Sequence, residues 1–175
     1  MFLCLGGNKS GSWGAPAETF CRTLSLLQAS GVAVDKVSDL YRTRPVGSIW
    51  QPDFINAVVR VTPNRSPATL LRLLKTIERA AGRGLGRHWG PRSLDIDIID
   101  FAGLRLGWPA HRRRRNILQL PHPEAHRRAF VMVPLCSIAP QWHHPGLRVS
   151  ATRLVSTLGP ARRGVVWHGA FSIGP

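Results

Sequence analysis

The sequence predicts an α+β fold, in which helices pack on one face of an antiparallel sheet. Short segments rich in Val, Ile and Leu, either alternating with polar residues or running together, indicate strands. Longer segments between them repeat apolar residues every three to four positions, which indicates amphipathic helices. With 175 residues and 43% hydrophobic residues, the chain is long enough to form one domain with a buried core.

The first predicted elements are a strand, a helix and a second strand. Residues 2–5 form a short apolar run that ends in Gly-Gly-Asn. A helix is expected over 15–30, because Pro16 lies near its start, apolar residues recur at helical spacing and Gly31 follows its end. Residues 32–41 alternate well enough to indicate the second strand.

A strand, a helix and a strand complete the predicted core. Residues 54–61 alternate clearly, as a strand does. Ser66 and Pro67 open a helix that Gly82 closes. Residues 94–101 form the fourth strand, again by alternation. The resulting order, βαββαβ, is that of the ferredoxin-like fold.

A C-terminal extension is expected after this core. It contains an irregular basic insert over 105–119, a short helix at 124–128, a strand-like segment at 130–135, and a short helix with a loose tail over 150–175. The run His-Arg-Arg-Arg-Arg at 111–115 reads as a solvated loop. We expect residues 1–160 to form the single domain and 161–175 to form its tail.

Two aspartates mark the candidate site. Asp95 and Asp97 alternate with apolar residues, so on a strand both carboxylates point to one face, with Cα atoms roughly 7 Å apart. Such a pair can hold two Mg²⁺ ions, although pairs of this spacing also occur on strands that bind no metal. Arg83, Arg87 and Arg92 lie just before them in glycine-rich segments, and cations beside acids suit a bound polyphosphate.

The net charge of +15, from 24 Lys and Arg against 9 Asp and Glu, predicts an anionic partner, either a nucleotide or a nucleic acid. The glycines at 6 and 11 do not form a Walker A loop, because Ser12-Trp13 follows them instead of Lys-Ser/Thr. A site for ATP would therefore depend on arginines and metal.

Three cysteines without C-x-x-C spacing and no membrane-length apolar run predict a cytoplasmic protein with reduced thiols.

Several short motifs follow one another along the chain. They are Leu5-Gly6-Gly7-Asn8, Tyr41-Arg42-Thr43-x-Pro45-Val46-Gly47, Gln51-Pro52-Asp53-Phe54-Ile55-Asn56-Ala57-Val58, Trp89-Gly90-Pro91-Arg92-Ser93-Leu94-Asp95-Ile96-Asp97-Ile98, Leu120-Pro121-His122-Pro123 and Arg128-Ala129-Phe130. In this order they resemble the 6-hydroxymethyl-7,8-dihydropterin pyrophosphokinase family over about residues 1–145. The resemblance implies the fold described above and a role in folate biosynthesis.

The resemblance also implies a reaction, the transfer of the terminal diphosphate of ATP to the hydroxymethyl oxygen of the pterin. AMP is the by-product, ATP is the co-substrate, and two Mg²⁺ ions are the implied cofactor. The implied metal ligands are Asp95 and Asp97, and the implied catalytic residues are these two acids with Arg83 and Arg92.

Binding residues are implied in the same way. Those for the pterin are Thr43, Val46, Phe54, Asn56, Trp89 and Phe130. Those for ATP are Lys75, Glu78, Arg87, Trp89, Arg92, Ile98, His122 and Arg128. Asn56 would read the amide edge of the pterin, Phe54 and Phe130 would sandwich its ring, and Trp89 would cover the site. Ordinary alternatives exist, namely core packing for the two Phe residues, a turn role for His122 and a surface ion pair for Lys75 with Glu78.

The chain departs from the family in three places. His88 stands where an arginine is common, and the loop from 82 to 89 is one residue shorter, so Arg87 aligns only loosely. The segment before His122 is lengthened and basic, and Arg114 or Arg115 would there replace a family arginine that contacts ATP.

Two other functions remain open. A basic ferredoxin-like domain could bind RNA, although no RNP1-type run is present and Asp95 and Asp97 would repel phosphates without metal. The other is a scaffold role for an inactive family member, against which Asn56, Arg92 and the aspartates argue. We expect a monomer that binds pterin and ATP, with no membrane and no nucleic acid as its main ligand.

Overall fold

The computed structural model describes residues 1–45, 50–83, 90–108 and 118–172. Over these residues one six-stranded sheet is formed by β1 (Phe2–Gly7), β2 (Ala33–Val37), β3 (Leu40–Thr43), β4 (Phe54–Thr62), β5 (Asp95–Asp100) and β6 (Val165–Gly169). The strand order is β5-β1-β4-β3-β6, with β2 also paired to β4, and all pairings are antiparallel. β5 is therefore an edge strand.

The described ranges also contain four α-helices, α1 (Pro16–Ala29), α2 (Pro67–Ala80), α3 (Ala129–Ile138) and α4 (Ala151–Thr157), with 3₁₀ turns at Ala125–Arg127 and Gly159–Gly164. The Oγ of Ser66 caps α2 by accepting a hydrogen bond from the Thr69 N–H at 3.3 Å. Glu18, in the first turn of α1, accepts one from the Ala15 N–H at 2.7 Å. None of these helices is long and apolar enough to cross a membrane.

The sheet separates two apolar cores. On one face, Phe20 of α1 and Leu74 of α2 are fully buried in the same cluster as Leu5 of β1. On the opposite face, Met132 of α3 packs in a cluster with Val58 of β4. The predicted combination of an antiparallel sheet with helices is confirmed, but the predicted one-sided helix layer is incomplete, because α3 and α4 cover the second face.

Two predictions for the C-terminal part are wrong. Residues 130–135, predicted to be strand-like, belong to α3. The run 129–138 is apolar except for Ser137, shows no alternation and contains Pro134, which is unfavourable inside a helix. Periodicity therefore could not separate a buried helix from a buried strand. Residues 165–169, predicted as part of a loose tail, form β6 and pair with β3.

The predicted strand over 32–41 is divided in the structure. β2 ends at Val37 and β3 begins at Leu40. Ser38 preserves the pairing across this break, because its backbone N–H donates to the Val58 carbonyl and its Oγ accepts from the Val58 N–H, both at 2.9 Å. The two pieces thus follow the same neighbour, β4.

Candidate active site

Strand register gathers the predicted acids and Asn56 on one face of the sheet. Asp95 lies opposite Gly6 of β1, and Gly6 lies opposite Asn56 of β4. In the next row Asp97 lies opposite Cys4, which packs in the cluster with α3. Directly opposed side chains point to the same face, so both aspartates and Asn56 lie on the α3 face. Since Gly6 has no side chain, a gap of about 10 Å separates Asn56 from Asp95.

Two arginines bind Asp95. The Nη1 of Arg92 lies 2.6 Å from its Oδ2, and the Nη1 of Arg83 pairs with its Oδ1. Burial opposes ionisation of this carboxyl, but the positive charges of Arg83, Arg92 and Lys75 outweigh burial and hold the pKa of Asp95 below its usual value. The site thus contains an ionised acid beside two guanidinium groups, which match phosphate oxygens in geometry.

Glu78 of α2 is a buried acidic residue that contacts Arg83. Its side chain is 2% exposed and accepts hydrogen bonds from the Ile96 N–H at 2.7 Å and from the Nζ of Lys75 at 2.8 Å. The Nη1 of Arg83 lies 2.8 Å from the same carboxylate. Burial raises the pKa of Glu78, and Lys75, the Ile96 N–H and Arg83 oppose that rise. Glu78 therefore ties α2 to β5 and orients Arg83, which an ordinary surface ion pair would not do.

Asp97 has longer contacts with its cations. The Nε2 of His122 and the Nη1 of Arg128 each lie 3.8 Å from its Oδ2. The His122 backbone N–H donates to the Ile99 carbonyl at 2.9 Å, and its Nδ1 accepts from the Glu124 N–H at 3.1 Å. Burial lowers the pKa of His122, although Asp97 opposes this. His122 is thus fixed by its turn and at the same time directed at Asp97.

The predicted pterin residues lie at the ends of β3, β4 and α3. Asn56 is 3% exposed, and its Nδ2 donates to the Oγ1 of Thr43 at 2.9 Å. The Phe54 ring is partly buried, with the guanidinium carbon of Arg92 5.9 Å from its centre. Phe130 is partly buried too, and the Arg128 guanidinium carbon lies 5.8 Å from that ring. Both aromatic residues are therefore partly exposed beside an arginine, and Phe130 also packs against the core on the α3 face.

An open cleft of about 310 Å³ lies along the β5 edge. Its walls include Lys75 of α2, Asp97 and Ile98 of β5, and His122 from the segment that follows. Residues predicted to bind ATP from three separate parts of the sequence thus share one cleft. Val46, Arg87 and Trp89 lie outside the described residues, as do His88, Arg114 and Arg115, and their roles stay predictions.

Gly6 is a candidate site residue that belongs to the first sequence motif but for which the sequence predicted no role. A Cβ on Gly6 would lie 3.3 Å from the Oδ1 of Asn56. A glycine inside a strand weakens that strand and often marks a position where a ligand or another backbone segment comes close. The position of Gly6 in the first strand could therefore have indicated a binding site. A second residue of this motif, Asn8, contacts the backbone of Arg92.

The two acids suit Mg²⁺. The side chains of Asp95 and Asp97 are 24% and 34% exposed, so both can reach a ligand. Within the described ranges no group of three or more His, Cys, Asp or Glu residues could hold a metal alone. Mg²⁺ is commonly bound by one or two carboxylates together with substrate phosphates and water, which is the donor set that this site offers.

The sequence of this chain is similar to one family of known enzymes. The family model described as 7,8-dihydro-6-hydroxymethylpterin-pyrophosphokinase (HPPK) matches residues 2–140. The chain is 37% identical over 151 residues to the 2-amino-4-hydroxy-6-hydroxymethyldihydropteridine pyrophosphokinase of Mycobacterium tuberculosis, covering 83% of this chain and 80% of the relative. To the enzyme of the same name from Bacillus subtilis it is 38% identical over 146 residues, with 80% and 78% covered.

A crystal structure of wild-type Plasmodium falciparum HPPK-DHPS resembles this fold, with a TM-score of 0.65 at 15% identity. The match covers 89% of this chain but 44% of that one, so this chain spans less than half of that protein. The fold and the comparisons together define a pyrophosphokinase, a transferase that uses ATP. More particularly, the chain belongs to the 7,8-dihydro-6-hydroxymethylpterin-pyrophosphokinase family.

Proposed function

We propose that this protein transfers diphosphate from ATP to the hydroxymethyl group of 6-hydroxymethyl-7,8-dihydropterin, giving AMP and the pterin diphosphate for folate biosynthesis. The observation that carries the proposal is the row Asp95, Gly6 and Asn56 across three neighbouring strands. A pterin hydrogen bonded to Asn56 extends over Gly6 towards Asp95. Its hydroxymethyl group would then meet the phosphates beside the acids.

On the pterin side, the buried amide of Asn56 supplies directional hydrogen bonds. The Thr43 hydroxyl orients that amide by accepting a hydrogen bond from its Nδ2. Phe54 and Phe130 supply aromatic faces for the ring, each with an arginine beside it. Val46 and Trp89 are further pterin contacts that the sequence alone predicts.

On the ATP side, the adenine would enter the cleft along β5. An edge strand presents backbone N–H and C=O groups without a strand partner, so the backbone at Ile98 can hydrogen bond to the base. Lys75, His122 and Arg128 then flank the path of the triphosphate towards Asp97. Glu78 acts by holding Lys75 and Arg83 in place, and Arg87 is a further predicted contact.

The catalytic centre would consist of Asp95 and Asp97 as ligands of two Mg²⁺ ions, with Arg83 and Arg92 beside them. Bound Mg²⁺ would neutralise negative charge on the phosphate oxygens. The hydroxymethyl oxygen attacks the β-phosphorus, the bond from that phosphorus to the oxygen bridging the α-phosphate breaks, and AMP leaves. The hydroxyl proton passes to solvent. Arg83 and Arg92, which contact Asp95, would also pair with the oxygens of a diphosphate bound beside that acid.

For the architecture, we propose that β1, the divided strand β2–β3, β4 and β5 with α1 and α2 form a ferredoxin-like core. We also propose a single domain over 1–160 followed by a C-terminal tail over 161–175, of which β6 pairs with β3, a monomeric state and a cytoplasmic location. RNA binding gains no support, because ferredoxin-like RNA-binding modules use an open sheet face, whereas helices pack on both faces of this sheet within the described residues.

The experiment that tests the proposal is a product assay. Purified protein is mixed with MgCl₂, ATP and 6-hydroxymethyl-7,8-dihydropterin, and the nucleotides are separated by chromatography. Attack at the β-phosphorus predicts AMP and pterin diphosphate in equal amounts, and none without Mg²⁺ or without the pterin. ADP with a pterin monophosphate would contradict the reaction class, and no nucleotide product would contradict the function.

A further inference from the structure

Asn8, directly after β1, joins two segments that lead to different parts of the candidate site. Its Nδ2 donates to the Oε1 of Gln51 and to the Pro52 carbonyl, both at 3.0 Å. Its Oδ1 accepts from the Arg92 backbone N–H at 2.9 Å, and its own N–H donates to the Arg92 carbonyl at 2.9 Å. Asn8 therefore uses the donor and the acceptor of its amide on opposite sides.

These segments carry groups that would contact both substrates. Gln51 and Pro52 lie three and two residues before Phe54, which is proposed to pack against the pterin ring. The Arg92 side chain pairs with Asp95 and also lies over the Phe54 ring. Because the guanidinium group is attached to a backbone that Asn8 holds, the position of that backbone limits where the guanidinium can reach.

The backbone packing around Asn8 is close. A Cβ on the preceding residue, Gly7, would lie 2.5 Å from the Ser93 carbonyl oxygen. The end of β1 and the segment 92–93 therefore touch without a side chain between them. Asn8 itself is 6% exposed, so removing its amide leaves the Arg92 N–H and the Pro52 carbonyl without this buried partner.

We propose that Asn8 is a positioning residue, which fixes Arg92 relative to the segment at 51–52 so that its guanidinium meets the diphosphate during transfer. The identity of the ligands rests on the proposed function. Asn8 touches no ligand in this proposal and acts through Arg92. Asp95 and Asp97 belong to β5, whose pairing with β1 ends before Asn8, so we expect the backbone of both acids to keep its place when Asn8 is changed.

The test is a double-mutant cycle with Asn8→Ala, Arg92→Ala and the double variant. We expect Asn8→Ala to lower kcat by about 10²-fold, since small misplacements of a positioning group cost that much. In the Arg92→Ala background the same change should lower kcat by less than about threefold, because its route of action is already gone. Equal losses in the two backgrounds would show a general structural role and overturn the proposal.

A second variant separates the two sides of the amide. Asn8→Asp keeps an oxygen for the Arg92 N–H and loses the donor to Gln51 and Pro52, so we expect a smaller kcat loss than for Asn8→Ala. A kcat equal to that of the wild type would show that the contacts with residues 51–52 are not needed to position Arg92, and would overturn the proposal. The Asp variant replaces Asn8→Ala in the cycle if the latter does not fold. Asn64→Ala, in an exposed turn between β4 and α2, is the matched control and should keep normal kcat.

A binding cycle keeps this inference separate from the proposed function. The probe is α,β-methylene ATP with Mg²⁺, in which the bond to be broken is blocked, and its Kd is measured by calorimetry. Asn8→Ala should raise this Kd about tenfold in the wild-type background and hardly at all with Arg92→Ala. If the wild type makes no AMP, the proposed function fails while the binding cycle still decides on Asn8. A wild type that does not bind the probe contradicts both.

Discussion

A methyl group placed on Gly6 should block the pterin while leaving the fold intact. Gly6 lies between Asn56 and Asp95 in one row of the sheet, and it is partly exposed. A Cβ at this position would stand 3.3 Å from the Asn56 Oδ1, so that amide must move by a few tenths of an ångström. Gly6→Ala therefore places a methyl group in the gap between Asn56 and Asp95, and it also shifts the Asn56 amide that is proposed to hydrogen bond to the pterin.

The two consequences differ in size. For folding, the crowding of Asn56 is offset by the preference of strands for Ala over Gly, worth about 0.5–1 kcal/mol, so stability should change by less than about 1 kcal/mol. For binding, the methyl group occupies space needed by the ligand, a penalty of about 1–3 kcal/mol or roughly 5- to 150-fold in Kd.

Calorimetry with 6-hydroxymethyl-7,8-dihydropterin in the presence of Mg²⁺ and α,β-methylene ATP measures the effect, and urea denaturation measures stability. Gly169→Ala is the matched control, because a Cβ there has nothing within 4 Å. Normal pterin affinity in a folded Gly6→Ala protein would refute the position proposed for the pterin. If the affinity for the ATP analogue, measured without pterin, falls by the same factor, the substitution has distorted β1 as a whole.

Three further predictions concern other parts of the chain. Asp97→Ala should reduce AMP formation by ~10³-fold or more because a metal ligand is lost, with little change in thermal stability since its cation contacts are 3.8 Å long; near-normal turnover would contradict the metal site. Arg83→Ala should lower kcat far more than it raises the ATP Kd if its guanidinium acts in the transition state, and steady-state kinetics showing equal losses would make it a static binding group. Burial lowers the pKa of His144 from 6.5 to about 4. As the pH falls, this imidazole is therefore protonated in the unfolded chain before it is protonated in the folded protein, and the free energy of unfolding should fall by about 3 kcal/mol between pH 6.5 and pH 4. His144→Asn, which keeps an acceptor for the Gly146 and Leu147 N–H groups, should remove that slope in denaturation curves, and an unchanged slope would assign it to other groups.

Local patterns were sufficient for much of the fold. The strands β1, β4 and β5 and the helices α1 and α2 lie where alternation, helical spacing and proline or glycine at the ends predict them, because these signals depend on residues a few positions apart. Part of the helix α3 was mistaken for a strand since all of its ten residues except Ser137 are apolar and one is a proline. β6 was missed because its partner, β3, lies more than 120 positions earlier in the chain.

The candidate site divides in the same way. Alternation on β5 predicted the shared face of Asp95 and Asp97, and the motifs named the aromatic, amide and basic residues. Neither could reveal that Gly6 separates Asn56 from Asp95, because that requires the register of three strands. The contacts of Asn8 span 43, 44 and 84 positions and are invisible to any local pattern.

Residue types and short spacings along the chain were enough to predict the family, the pair of aspartates, the arginines near them and the order of the core elements. The three-dimensional fold was needed to show which basic residues contact which acid: Arg83 and Arg92 lie beside Asp95, and His122 and Arg128 lie beside Asp97. It also placed the cleft at the β5 edge and buried Glu78 behind it. The physical reason is that charge pairing and burial depend on distances in space, which the packing of both helix layers on the sheet sets and the spacing along the chain does not.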